Sequence, residues 1–251
     1  EEMVKRGQWE PTGSMWVEAD CNVPSGEALV RQFLYGKRYF LERFGVETKD
    51  MWLPDVFGYS AALPQILKLA GVDYFLTQKI CWNDTNVFPH HTFRWKGIDG
   101  TEVLSHFMPA NDYCCNMTPK QLLFGVRNFK EHGRSDRSLY VYGYGDGGGG
   151  PTVDRIEAGL RMRDVEGLPC VEMEFARDFL RKTFEEAQDL ATWWGELYFE
   201  LHRGTYTTQA NNKKHNRKCE LLLRDAEMLT SLFCDASAYP REALEEAWKL
   251  V

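Results

Sequence analysis

The chain has 251 residues, enough for one large α/β domain or for one domain and part of a second. Its net charge is -7, with acidic and basic residues interspersed, which gives no electrostatic footprint for nucleic acid and fits an uncharged substrate better. The longest apolar runs are far too short to span a bilayer, and residues 1–10 lack an apolar signal core, which points to no membrane partner. Seven cysteines, an odd number without C-x-x-C spacing, predict reduced thiols in a reducing compartment. Two N-x-T triplets, at Asn83 and Asn116, pull weakly the other way.

In chain order, Ser14–Ala19 reads as a strand ending at Glu18 and Asp20, with Pro24 and Ser25 as helix-start signals. A helix from Gly26 to Phe44 follows, with Val30, Phe33, Leu34, Leu41 and Phe44 on one face and Gly45 as its stop. Met51–Leu53 is a buried strand broken by Pro54, and Ser60 opens a short helix that ends at Gly71. Asp73–Gln78 is a further strand. Thr92–Trp95 and Glu102–Phe107 flank Asp99-Gly100 as a hairpin. Thr118-Pro119-Lys120-Gln121 opens a helix that runs to Gly133.

Ser138–Tyr142 reads as a strand, then come the loop Gly143–Pro151, a helix through Arg163, a strand near Val171–Met173 and a helix Ala176–Gln188. Alternating strands and helices predict an α/β fold: an incomplete (β/α) barrel-like catalytic domain with a mostly parallel sheet over residues 1–191. Residues 192–251 begin as a loop-rich aromatic crossover. They continue as a helix from Gln209, with Leu222, Asp225, Leu229, Leu232 and Phe233 along one side, and a second helix from Pro240, the start of a helical bundle.

Two acidic corners carry the chemistry. Asp55 leaves the Met51–Leu53 strand between Pro54 and Phe57, and ligands of α/β folds bind where strands end. Taken alone, a turn or cap role for Asp55 is the more ordinary one. Asp146 sits in Gly145-Asp146-Gly147-Gly148-Gly149-Gly150-Pro151 after an aromatic strand, where glycines either let a bulky ring approach the backbone or form a flexible loop that the Asp simply solvates. The loop lacks the G-K-[ST] ending and G-x-G-x-x-G spacing of a phosphate cradle. Two carboxylates at two strand-end corners suit glycoside hydrolysis, one attacking the anomeric carbon and the other protonating the leaving oxygen.

Read together, WVEADCNVPSGEALVRQFLYGKRYF, WLPDVFGYSAALPQI, FLTQKICWN, FPHHTFRW, YGDGGGGP and GELYFELHRGTYTT closely resemble the α-mannosidases of glycoside hydrolase family 38, in the cytosolic, fungal vacuolar and bacterial branch. The resemblance covers the whole chain in the right order. It implies a retaining exo-acting α-mannosidase that acts on mannose-containing oligosaccharides with one zinc ion, or cobalt in related sites. By position in the motif D-x-F-G-x-S, Asp55 would be nucleophile and zinc ligand, with Val56 standing where the family has Thr or Pro. Asp146 would be the acid/base, and Phe57 and Tyr113 would be stacking or hydrogen-bonding neighbours in the site. Glu18, Asp20, Glu196, His202, Arg203 and Tyr206 would line the sugar site. A homo-oligomer is expected only of the full-length protein.

The family's remaining zinc ligands, a His-x-Asp pair and the His of N-Q-F-H-D, are expected outside Glu1–Val251, so the chain alone is expected to bind zinc poorly and to hydrolyse little. The six histidines present, His90, His91, His106, His132, His202 and His215, show no ligand spacing and read as surface or hydrogen-bonded residues. Two alternatives remain. One is another zinc-dependent carbohydrate hydrolase of the deacetylase type, whose His-x-x-x-His pair is missing; the other is a non-catalytic sugar-binding protein.

Overall fold

The computed structural model describes all 251 residues. A short α1 (Glu2–Lys5) precedes α2 (Gly26–Phe44), which is capped by the Ser25 hydroxyl accepting from the Ala28 N–H and closed by Gly45 in the left-handed region. Three parallel strands follow, β1 (Asp50–Trp52), β2 (Tyr74–Thr77) and β4 (Glu102–Phe107), with α3 (Leu63–Leu69) between the first two. The strand β3 (Thr92–Lys96) pairs antiparallel with β4 as the predicted hairpin. Then come α4 (Pro119–Asn128), α5 (Val153–Arg161), α6 (Ala176–Glu186), β5 (Thr192–Trp194), α7 (Ala210–Phe233) and α8 (Arg241–Leu250). The sheet order is β1-β2-β4-β3-β5, and every pairing except β3 with β4 is parallel.

Alternation along β2 shows how the sheet is covered. Phe75 joins the main core with Leu29 and Phe33 of α2 and Leu63 and Leu67 of α3. Leu76, one residue on, points to the other face and packs against Phe179 and Leu180 of α6. With both faces buried, the parallel strands read as continuous apolar runs, which is why they are legible in sequence.

Several expectations differ from what is observed. Ser14–Ala19 is not a strand. The Trp16 N–H donates to the Gln32 carbonyl and the Val17 N–H to the Gln32 side chain, so α2 takes the bonds that a sheet would have taken. This segment lies so close to α2 that a Cβ on Gly36 would sit 2.3 Å from the Ser14 carbonyl oxygen. The buried face of α2 is accordingly Leu29, Phe33, Tyr35 and Gly36, while Val30, Leu34 and Leu41 are exposed. Ser138–Tyr142 makes only a single bridge, Cys115 to Tyr142, and Val171–Met173 forms no strand. Helix α4 stops at Asn128, five residues before Gly133, because Phe129 turns extended and the backbone of Lys130 donates to His91. Thr192–Trp194, expected in a crossover loop, pairs with β3.

In α7 the expected apolar side, Leu222, Leu229, Leu232 and Phe233, is exposed. The helix is held by polar contacts instead. Glu220 accepts from the Ser25 N–H at the start of α2, and Glu227 pairs with Arg31. No helix is long and apolar enough to cross a membrane, and all seven cysteines are free.

Two histidines are framework groups. His106 is fully buried; its Nε2 accepts from the Leu139 N–H, so its proton sits on Nδ1 and faces Thr92 Oγ1. The Nδ1 of His91 accepts from the Lys130 N–H, and the buried Glu131 carboxylate accepts from the backbone of His91 and Thr92. Burial lowers His106 to about 3, and burial with nearby Lys130 and His90 lowers His91 to about 4. Below about 6.5 the unfolded chain binds protons that the fold refuses, so this contribution is complete above that pH and is lost as the pH falls towards those values. Urea unfolding should therefore show a loss of about 1–2 kcal/mol per histidine between pH 7 and pH 5. Nitrogen NMR should find both rings still neutral in the folded protein at pH 5.

Candidate active site

The three parallel strands release the chain at one edge of the sheet. The register pairs Trp52 with Leu76 and Leu76 with His106, so the segments beyond β1, β2 and β4 emerge side by side. Asp55 follows β1, Tyr113 lies beyond β4, and the glycine loop with Asp146 is drawn in by the Cys115–Tyr142 bridge. Glu18 arrives from the segment packed over α2. Glu18, Asp55, Tyr113 and Asp146 together line one open cavity of about 490 Å³, walled by Trp52, Tyr142 and the glycines.

The cavity is tied together by hydrogen bonds. Glu18 Oε1 accepts from the backbone N–H of Asp55 at 2.9 Å, which fixes the turn after Pro54. Gln78 Nε2 donates to the Pro54 carbonyl at 3.4 Å. Tyr113 donates its phenol proton to Asp146 Oδ1 at 2.7 Å. Burial, this bond and the charges of Asp55 and Asp146 all push the Tyr113 phenol up, so it stays a donor. The loop around Asp146 closes tightly, with the Tyr144 N–H on the Gly149 carbonyl and the Gly148 N–H on the Gly145 carbonyl. Asp146 itself has φ 51°, a left-handed conformation that Asp tolerates better than most residues. Arg155 stacks over Tyr144 at 4.1 Å behind it.

The other residues named from sequence lie off this cavity. The Asp20 carboxylate accepts from the Asn22 and Val23 N–H groups and closes a turn. Phe57, His202 and Phe199 form an aromatic cluster behind the Asp55 turn, with His202 4.8 Å from Phe57. The Tyr206 hydroxyl donates to the Phe57 carbonyl and accepts from Asn22 at 2.8 Å, bracing that turn. Arg203 lies over Tyr198, and the Glu196 carbonyl accepts from Trp193. Sequence reading passed over three contributors: Lys79, whose ammonium pairs with Asp55, and Gln78 and Asn22, which hold the turn. Their signal was present in FLTQK and DCN, which carry polar groups just beyond an apolar run.

No group of three His, Cys, Asp or Glu side chains lies close enough to hold an ion, and Asp55 is engaged by a cation already. A catalytic zinc needs about three protein ligands, so these residues do not fit one by themselves.

Residues 1–196 match the Glycosyl hydrolases family 38 N-terminal domain, and residues 200–251 match the Alpha mannosidase middle domain. Alpha-mannosidase 2C1 of Homo sapiens is 47% identical over 254 residues, covering 100% of this chain and 24% of that protein. Alpha-mannosidase of Saccharomyces cerevisiae is 42% identical over 262 residues, covering 99% and 24%. In three dimensions the chain is similar to an alpha-mannosidase from Enterococcus faecalis, with a TM-score of 0.74 at 20% identity over 99% of this chain and 30% of that one. The chain thus spans about a quarter of the length of the curated relatives it matches.

The glycine loop allows a local test. A Cβ on Gly145 would lie 2.4 Å from Cys114 Sγ and 2.5 Å from the Tyr113 ring, whereas one on Gly150 meets nothing within 4 Å. Gly145→Ala is expected to cost about 1–3 kcal/mol through overpacking, and Gly150→Ala close to nothing; urea unfolding of the two variants measures the difference.

Proposed function

The chain belongs to glycoside hydrolase family 38, and on that premise we propose that the protein carrying it is a retaining exo-α-mannosidase acting on mannose-containing oligosaccharides. The observation supporting this most directly is that Asp55, from the turn after β1, and Asp146, from the glycine loop, line one cavity with Tyr113 bonded to the second of them. In the first step the Asp55 carboxylate attacks the anomeric carbon while Asp146 gives its proton to the departing glycosidic oxygen. With Oδ1 of Asp146 taken by the Tyr113 hydroxyl, Oδ2 is the oxygen that carries the transferred proton. In the second step Asp146 takes a proton from water, which releases mannose with its α configuration and restores both carboxyl groups.

Zinc belongs to the proposal only with donors from outside these 251 residues, and nothing in the two steps above depends on it. The domain reading, a β/α catalytic part followed by the first helices of a bundle, is supported by the break between residues 196 and 200 in the family matches. A cytoplasmic or vacuolar setting is supported by the free cysteines.

Asp55→Asn and Asp55→Ala in the complete protein should each lower kcat/KM on an aryl α-mannoside by about 10³-fold or more. Asp146→Asn should keep most of the initial burst of phenol from an aryl α-mannoside with a strongly acidic leaving group but lose steady-state turnover, which azide restores, and should lose both on a disaccharide. A sugar-binding protein would tolerate Asp55→Asn, and proton NMR showing β-mannose as the first product would exclude the retaining route.

A further inference from the structure

The two oxygens of the Asp55 carboxylate have different surroundings. Oδ1 is wholly buried and lies against the Lys79 ammonium, while the Asp55 side chain as a whole is 37% exposed. Asp55 lines the cavity, and with Oδ1 buried against Lys79, Oδ2 is the one carboxylate oxygen left to meet a substrate there. The Lys79 side chain is only 4% exposed. Its ammonium lies 3.8 Å from the Trp82 ring centre, 5.2 Å from Phe57 and 5.8 Å from Phe199. A buried cation is tolerated when a counter-charge and aromatic faces replace its water, and here Asp55 is that counter-charge.

The placement follows from strand register. Trp52 pairs with Leu76, and Asp55 and Lys79 each lie three residues further along neighbouring parallel strands. Lys79, the second residue beyond β2, opens a 3-10 turn, Lys79–Trp82, and its N–H donates to the Thr77 hydroxyl, which fixes the start of that turn. On the Asp55 side, Glu18 and Gln78 hold the backbone of the turn. Both partners are thus fixed by the backbone before they meet.

We propose that Lys79 is a positioning residue for the displacement: it engages Oδ1 of Asp55 and so presents Oδ2 alone as the attacking oxygen. This rests on the mannosidase reading and adds to it a residue and an assignment of oxygens. In the first step Oδ2 forms the bond to the anomeric carbon, the glycosidic bond breaks, and its electron pair goes to the leaving oxygen that receives the Asp146 proton. Oδ1 becomes the carbonyl oxygen of the ester and remains beside Lys79. Water attack in the second step returns the negative charge to Asp55 and remakes the ion pair.

The test uses the complete protein, with Lys79→Met and Lys79→Gln to remove the charge and Lys79→Arg to keep it, all checked for folding by thermal melts. Reaction of the unmutated protein with an activated fluorosugar mannosyl fluoride, followed by peptide mass spectrometry, first asks whether Asp55 takes up the sugar; labelling elsewhere would sink the mannosidase reading itself. Given labelling on Asp55, Lys79→Met and Lys79→Gln are expected to lower kcat by about 10²-fold with KM changed by less than about threefold, and Lys79→Arg to recover at least about tenfold of that loss. If the uncharged variants keep kcat within about threefold, if the loss falls on KM, or if arginine does no better than methionine, the positioning role is wrong. Should the uncharged variants fail to fold, Lys79→Arg decides alone: kcat within about tenfold of the unmutated protein supports the role, and a larger loss overturns it.

Discussion

The structure depends on the hydroxyl of Tyr59. Fully buried, it donates to the Leu53 carbonyl at 2.8 Å and meets Thr77 Oγ1 at 2.7 Å, so one group ties Leu53, the residue after β1, to Thr77, the last residue of β2. Burial pushes this phenol far up, and it stays a neutral donor. The Tyr59 backbone exchanges two hydrogen bonds with Leu197 and bridges to Cys21, bringing the segment that carries Glu18 and the segment that carries Phe199 to the same point. A side chain with an apolar body and a single polar tip suits this position, because it fills the core with Phe75 and Trp95 and still satisfies the strand ends. Without such a tie, the turns that carry Asp55 and Lys79 would not be held in register.

In the cavity, charge is arranged economically. Three carboxylates, Glu18, Asp55 and Asp146, line the cavity, and each has a separate partner: a backbone N–H for Glu18, the Lys79 ammonium for Asp55 and the Tyr113 phenol for Asp146. A different donor for each acid fixes one oxygen of each in its own place and leaves each group available for one task. The glycine run serves the same end by steric means, since side chains at Gly145 or Gly143 would strike Cys114, Tyr113 or Pro151.

Other chemically capable residues are framework. His106 and His91 are neutral struts for the β3–β4 hairpin, and Glu131 gathers the backbone N–H groups of His91 and Thr92. Glu200 holds Thr85 and Asn86 in the same way, and those bonds lower its carboxyl to about 2. Glu131 and Glu200 each spend their carboxylate on two consecutive backbone N–H groups of one segment, which makes them framework groups.

The sequence by itself determined the alternating strands and helices, the antiparallel hairpin, the caps at Ser25 and Thr118, and the two acidic corners, because each rests on periodicity or on one residue's local backbone preference. Its long motifs also carried the family resemblance. What only the tertiary structure decided were non-local hydrogen bonds and register. Ser14–Ala19 has strand composition, yet α2 satisfies it; Thr192–Trp194 looks like loop, yet the free edge of β3 claims it. Tyr206 and Asn22 brace a turn, and Lys79 meets Asp55 because two parallel strands end at one level. A pairing between residues far apart in the chain leaves no period in either segment, so its partners become visible only once the sheet has set them side by side.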